Sequence, residues 1–205
     1  MIFGIPCEIK MYLANEKVKK ITKGHQSGDR VYQIGNKYIL KISTKITNLE
    51  KEKIVNDYLY DKAVVSQSVA FVIKKNKAYY LKTMVQGENL ITKKYLKNPL
   101  LLIDYLVKGL EILHNIDCFD CDIYNSESVG NVFVHGDYCL PNIVVNGDSI
   151  GFIDLQTAGK GDPWVDYAWC IWSLEYNLQT KEYTPLLLEK LNIEFDEEKY
   201  NKYIS

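Results

Sequence analysis

Residues 132–162 read VFVHGDYCLPNIVVNGDSIGFIDLQTAGKGD. Two short apolar runs, Ile143–Val145 and Ile150–Ile153, flank the dipeptide Asn146-Gly147. Asn-Gly between β-prone runs is a strong hairpin signal and predicts a type I′ turn. If the runs pair, the residue entering the first strand lies beside the residue leaving the second. Those residues are Asn142 and Asp154. Asp137 reaches the same end through the short loop Tyr138-Cys139-Leu140-Pro141. An amide and two carboxylates then converge at one hairpin end. That is a hard-oxygen set suited to magnesium, which takes few protein ligands and completes its shell with phosphates and waters.

Upstream, the pattern changes near residue 86. Before it, Val31 to Ile42 reads as two strands around Gly35-Asn36, and Val69 to Ile73 and Ala78 to Met84 as two more. In the second strand, Tyr38, Leu40 and Ile42 share one face, while Lys37, Ile39 and Lys41 share the other. Asn48 to Leu59 has helical spacing, with Leu49, Glu52, Val55 and Leu59 on one stripe. Glu52 thus stands among apolar neighbours, where a carboxylate needs a partner. After residue 86, Asn98 and Pro99 form a helix start, followed by the stripe Leu102, Leu106, Leu110 and Leu113. Residues 117–130 read as a polar loop, and a Trp- and Tyr-rich helix begins near Asp166. The division predicts an N-terminal unit of residues 1–86 and a C-terminal unit of residues 87–205.

Bulk properties narrow the function classes. The chain has 205 residues and a formal net charge of −1, which argues against a general nucleic-acid binder. Its N-terminus, MIFGIPCEIK, lacks both a basic start and a long apolar run. No later stretch reaches the roughly 20 apolar residues of a membrane span. A soluble cytoplasmic protein with no membrane partner is expected, and the oligomeric state stays open. Five cysteines form no evident disulfide framework. Cys118 and Cys121 make one C-x-x-C, but the three histidines, His25, His114 and His135, are not spaced to complete a zinc site. Free thiols in a reducing cytosol are the expectation. Trp164, Trp169 and Trp172 read as packing residues rather than a platform for bases.

The runs HGDYCLPN and GFIDLQTAGKGD together resemble the signature of the aminoglycoside phosphotransferase family, and the match is nearest to the kanamycin-type 3′-phosphotransferases. The resemblance implies an α+β, two-lobe, protein-kinase-like fold. Its N-lobe would be an antiparallel sheet with one helix, and its C-lobe mainly helical with a catalytic hairpin. It implies ATP or GTP as phosphoryl donor, Mg2+ as cofactor and a small-molecule hydroxyl as acceptor. Asp137 would be the catalytic base, Asn142 and Asp154 the magnesium ligands, and His135 and Asp166 supports of the catalytic loop. Lys41 would bind phosphate and Glu52 would pair with it. Ser27 would belong to the loop over the phosphates, Ile39 would flank the base, and the Val85 backbone would read the purine edge.

Several positions depart from the family pattern. Gln156 stands where a glycine is usual and Thr157 where near relatives carry arginine. The long helical insertion that binds cationic sugars is replaced by the short loop after Asp117, and the acidic, aromatic C-terminal motif is missing before Tyr203-Ile204-Ser205. An aminoglycoside acceptor would then meet Asp117, Asp120, Asp122 and Glu127, with Glu175 near. A kinase of an amino alcohol, sugar or nucleoside, and a nucleotide-binding module without acceptor activity, are the other readings.

Overall fold

Alternating apolar positions in the first third of the chain build one antiparallel sheet. The structure, a computed structural model, describes residues 4–21 and 29–204. Helix α1 (Cys7–Leu13) precedes strands β1 (Val18–Ile21), β2 (Arg30–Ile34) and β3 (Tyr38–Ser43). Helix α2 (Ile46–Leu59) and strands β4 (Ser68–Lys74) and β5 (Lys77–Thr83) follow. The strands stand in the order β1-β2-β3-β5-β4, each antiparallel to its neighbours. The two faces of this sheet are covered by different helices. Leu40, Ile42, Tyr79 and Leu81 pack with Ile5 and Ile9 on the α1 side. Ala78 and Tyr80 pack with Leu49 of α2 on the other. Helix α1 is an addition to the expected single helix. Only Ile9 of its residues is fully buried, too little periodicity to announce a helix.

In the rest of the chain β6 (Glu88–Asn89), α3 (Lys93–Leu96), α4 (Pro99–His114) and β7 (Val132–Val134) come first. They are followed by β8 (Ile143–Asn146), β9 (Ser149–Phe152), β10 (Gly159–Gly161), α5 (Trp164–Leu178), α6 (Thr184–Leu191) and α7 (Glu197–Ile204). Helix α4 starts as its sequence dictates, with the Asn98 side chain accepting the Leu101 amide and Pro99 in the first turn. Its stripe Leu102, Leu106, Leu110 and Leu113 is buried in the largest core. There it meets Phe133, Ile143, Phe152, Ile171 and Leu174 from β7, β8, β9 and α5. Helix α5 begins at Trp164, just ahead of the expected start. Trp164 is buried, and Trp169 and Trp172 pack edge to face along α5.

The β8–β9 hairpin forms, but its turn differs from the expectation. Asn146 pairs with Ser149, so Gly147 and Asp148 make the two-residue loop. Gly147 has φ +59 and Asp148 does not share a positive φ. That excludes the type I′ form, which needs left-handed backbone at both positions; glycine in the first of them suits the II′ class. Strand β10, Gly-Lys-Gly, pairs with β7 although its residues carry little β preference. The link between the first sheet and the second half runs through Gly87. Its φ is +136, and a Cβ there would lie 2.4 Å from the Val145 carbonyl oxygen. Only glycine fits that approach. No helix among the described residues is long and apolar enough to cross a membrane.

Candidate active site

The segment leaving β7 is held by a buried carboxylate. Asp166, on the first turn of α5, accepts the His135 amide at 2.9 Å, the Gly136 amide at 2.8 Å and His114 Nε2 at 3.0 Å. Its relative exposure is 0%, so every bond it makes replaces water it has lost. His135 bridges the hairpin from within the same loop. Its Nε2 lies 3.0 Å from the Ile153 carbonyl, which can only accept, so Nε2 carries the proton. Nδ1 is then the acceptor for the Asp137 amide at 3.3 Å. Below this loop Tyr138 donates to the Leu106 carbonyl at 2.8 Å, and the Leu140 amide donates to Ser173 Oγ at 3.0 Å. The loop is thereby fixed to both α4 and α5.

Asp137 and Asn142 come together directly. Asn142 Nδ2 donates to the Asp137 backbone oxygen and to Asp137 Oδ2, each at 2.9 Å. That orientation turns Asn142 Oδ1 away from Asp137. The Ile153 amide donates to the Asn142 carbonyl at 3.1 Å, continuing the hairpin ladder by one step. Asp154 follows immediately with φ 62 and ψ 47, a left-handed conformation that costs a non-glycine residue about 1–2 kcal/mol. Leaving the strand direction there turns its carboxylate toward the first sheet.

On that sheet Lys41 makes the connection. Its Nζ donates to both Glu52 oxygens at 2.9 Å and to Asp154 Oδ1. Lys82 Nζ donates to Glu52 Oε1 at 2.5 Å. Glu52 is fully buried, Lys41 is 7% exposed and Lys82 is 2% exposed. Burial alone would raise the Glu52 pKa, but the two ammonium groups outweigh it and hold the carboxyl below its ordinary value. Burial likewise acts to lower the Lys41 pKa, and Glu52 with Asp154 more than reverses that. Lys82 differs: burial, aided by the like charge of Lys41, lowers its pKa despite Glu52.

Among the expected residues, Lys41, Glu52 and Asp154 form one contact group, and Asp137 and Asn142 another. Ile153 and the Asn142 carbonyl join the two. Ile39 shares the Lys41 face of β3 and lies opposite Lys82. Val85 lies against the hairpin, where a Cβ on Gly151 would stand 2.6 Å from its Cγ1. Neither the amide nor the carbonyl of Val85 has a hydrogen-bond partner among the described residues. Ser27 lies outside the described residues. The Cys118 and Cys121 thiols are free and buried. Cys118 donates to the Asn131 carbonyl, and burial pushes its pKa up.

Three residues of this region were not singled out from sequence. His114 ends α4 and reaches Asp166 only through tertiary packing. Lys82 is recognisable once β5 is paired with β3, because Tyr80 then faces Lys41 and Lys82 shares that side. Asn125 pins the loop after Asp117 to the site. Its Nδ2 donates to the Thr157 carbonyl at 2.8 Å and its Oδ1 accepts from the Glu127 amide and Ser128 Oγ. The loop's Asp120, Asp122 and Glu127 are exposed. Glu175 is engaged elsewhere, by Thr184 Oγ1 at 2.8 Å and Lys181 at 3.8 Å.

Chemically, a carboxylate and an amide oxygen at one hairpin end provide the hard donors that magnesium takes. Asn142 Oδ1 points away from Asp137, and the Asp154 side chain is 31% exposed. These donors fit that ion. Residues 127–201 match the model of the phosphotransferase enzyme family. A "Probable aminoglycoside 3′-phosphotransferase" of Lactococcus lactis is 31% identical over 189 residues, spanning 71% of this chain and 72% of the relative. The solved structure of aminoglycoside phosphotransferase APH(3″)-Id from Streptomyces rimosus superimposes with a TM-score of 0.74 at 16% identity, covering 96% of this chain and 93% of that one. The same Streptomyces protein in complex with ADP and streptomycin gives a TM-score of 0.71 at 16% identity, covering 88% and 91%.

Proposed function

Since this chain belongs to the aminoglycoside phosphotransferase family, we propose that it moves the γ-phosphoryl group of ATP or GTP onto a hydroxyl of an aminoglycoside. The observation that carries the reading is the contact of Lys41 with both Glu52 and Asp154. A buried cation from the sheet meets a carboxylate from the hairpin, beside the Asp137–Asn142 pair. Phosphoryl transfer asks a protein chiefly for position and charge compensation, and this arrangement supplies both.

Residues 1–86 form the nucleotide-binding lobe in this reading, and residues 87–205 the catalytic lobe. Lys41 holds the phosphates, Glu52 orients Lys41, and the Val85 backbone, which has no hydrogen-bond partner among the described residues, meets the base edge. Asn142 and Asp154 hold Mg2+, which when bound offsets phosphate charge. Asp137 accepts the acceptor's hydroxyl proton while the Asn142 amide keeps its carboxylate in place. Exposed Asp120, Asp122 and Glu127, on a loop pinned by Asn125 to Thr157, offer negative charge to a polyamine sugar. Antibiotic resistance in the cytoplasm is the corresponding biological role.

A coupled assay of ADP release, run with magnesium and an acceptor panel, tests this. Kanamycin or neomycin is expected to stimulate turnover well above amino alcohols, simple sugars and nucleosides. Stimulation confined to those other acceptors, or by none of the panel, counts against it.

A further inference from the structure

Helix α5 carries Asp166 and Ser173 on one line along its axis. Both grip the segment that bears Asp137. Asp166 accepts the His135 and Gly136 amides, and Ser173 Oγ accepts the Leu140 amide at 3.0 Å. On one side of that line, Cys170 and Leu174 are buried in the main core. On the other side Trp169, Trp172 and Tyr176 recur at i, i+3 and i+7, one aromatic stripe next to the line that holds the Asp137 segment.

The packing role expected of the tryptophans suits Trp164 and Trp169, which join Val134, Val165 and Tyr203 in one apolar cluster. It does not suit Trp172. Among the described residues, Trp172 and Tyr176 belong to none of the apolar clusters. Their rings stack on each other instead, with centroids 5.1 Å apart and planes 11° from parallel. Tyr176 is 61% exposed. Trp169 meets Trp172 edge to face at 5.5 Å and ties the pair to the interior. Lysines lie over the rings of Tyr58, Tyr95 and Trp164 elsewhere in the chain. Among the described residues, none lies over Trp172 or Tyr176. Stacked ring faces with no cation of their own can take one from outside.

We propose that Trp172 and Tyr176 bind the acceptor, an amino sugar whose ammonium groups and apolar ring face lie against the stacked pair while one hydroxyl meets Asp137. The inference rests on the functional reading above and names two specificity-determining residues for it. Ring faces attract an ammonium group without placing a second negative charge near Asp137, where a like charge would raise the pKa of its carboxyl. Glu175, the neighbouring acid on α5, is engaged by Thr184 and Lys181. A cationic sugar is therefore preferred to a neutral sugar of the same shape.

The test is steady-state phosphorylation of kanamycin, with ATP and magnesium, by the wild-type chain, Trp172→Leu, Trp172→Phe and Tyr176→Ala. The KM for kanamycin is expected to rise about fivefold or more in Trp172→Leu and Tyr176→Ala, while the KM for ATP stays within about twofold. Trp172→Phe, which keeps a ring, should stay near the wild-type value. An unchanged kanamycin KM in Trp172→Leu and Tyr176→Ala overturns the proposal. So does a fall in kcat with both KM values kept, which makes the stripe a support of the Asp137 segment. Loss of self-association with unchanged kinetics assigns the face to a contact between copies of the chain and also overturns it. Should the Trp172 variants not fold, exposed Tyr176 decides by the same criterion. A wild-type chain that transfers nothing to kanamycin contradicts the functional reading and the proposal with it, whereas wild-type transfer matched by the variants contradicts only the role of the aromatic pair.

Discussion

Asp166 and Glu52 are both buried carboxylates, yet they hold opposite kinds of partner. Asp166 collects two backbone amides and a histidine nitrogen, so it works as a scaffold for the His135–Asp137 turn. In Asp166→Ala the His135 and Gly136 amides lose their acceptor in a buried place. The expected cost is about 3–5 kcal/mol, read from the midpoint of chemical denaturation; a change below about 1 kcal/mol contradicts this role. Glu52 collects two ammonium groups, and its pKa in the folded chain is lowered. A carboxyl with a lowered folded pKa adds stability above its unfolded value near 4.5. That contribution is lost as pH falls below the unfolded value and through the folded one. Stability measured from pH 7 downward should therefore fall more steeply in the wild-type chain than in Glu52→Gln, so that the two converge in acid. Parallel curves contradict the ion pairing.

Among the elements, the link after β5 is the one with least freedom. Gly87 combines a φ of +136 with the Val145 carbonyl 2.4 Å from any added Cβ, and β6 pairs with β8 directly after it. Gly87→Ala must either strain its backbone or push β8 away, and β8 leads back to Asn142. A loss of about 2–3 kcal/mol in stability is expected, with a raised nucleotide KM. An unchanged denaturation midpoint contradicts the close approach. The β8–β9 hairpin shows what local sequence signals carry. Asn146-Gly147 marked the reversal correctly, because two-residue hairpin loops need a positive φ, which glycine adopts without strain and Gly147 does adopt. Which residues fill the loop was not legible, since pairing of Asn146 with Ser149 depends on how Ile143 and Phe152 meet the core.

Across the whole molecule, the contacts that assemble the site differ in how far they reach along the chain. Asn142, Asp137 and Asp154 were legible together because one hairpin and one short loop bring them together. Lys41 and Glu52 were legible separately, as a strand lysine on one face and a carboxylate on an apolar stripe. The meeting of Lys41 with Asp154, 113 residues away, required the resemblance. Lys82 and Asn125 were not legible, because each acquires its place only from long-range pairing: β5 against β3, and the loop after Asp117 against Thr157. Helix α1 escaped for a related reason, since its stability comes from docking Ile9 on the sheet rather than from its own pattern. At this scale the proposal is that Asp137 acts on an acceptor hydroxyl beside a nucleotide held by Lys41. Mass spectrometry of kanamycin after incubation with ATP, magnesium and either the wild-type chain or Asp137→Asn tests that claim most directly. One added phosphoryl group on the antibiotic with the wild-type chain, and none above background with a variant that still binds nucleotide, is the predicted result. Kanamycin left unmodified by a wild-type chain that binds nucleotide, or modified equally by both chains, would contradict it.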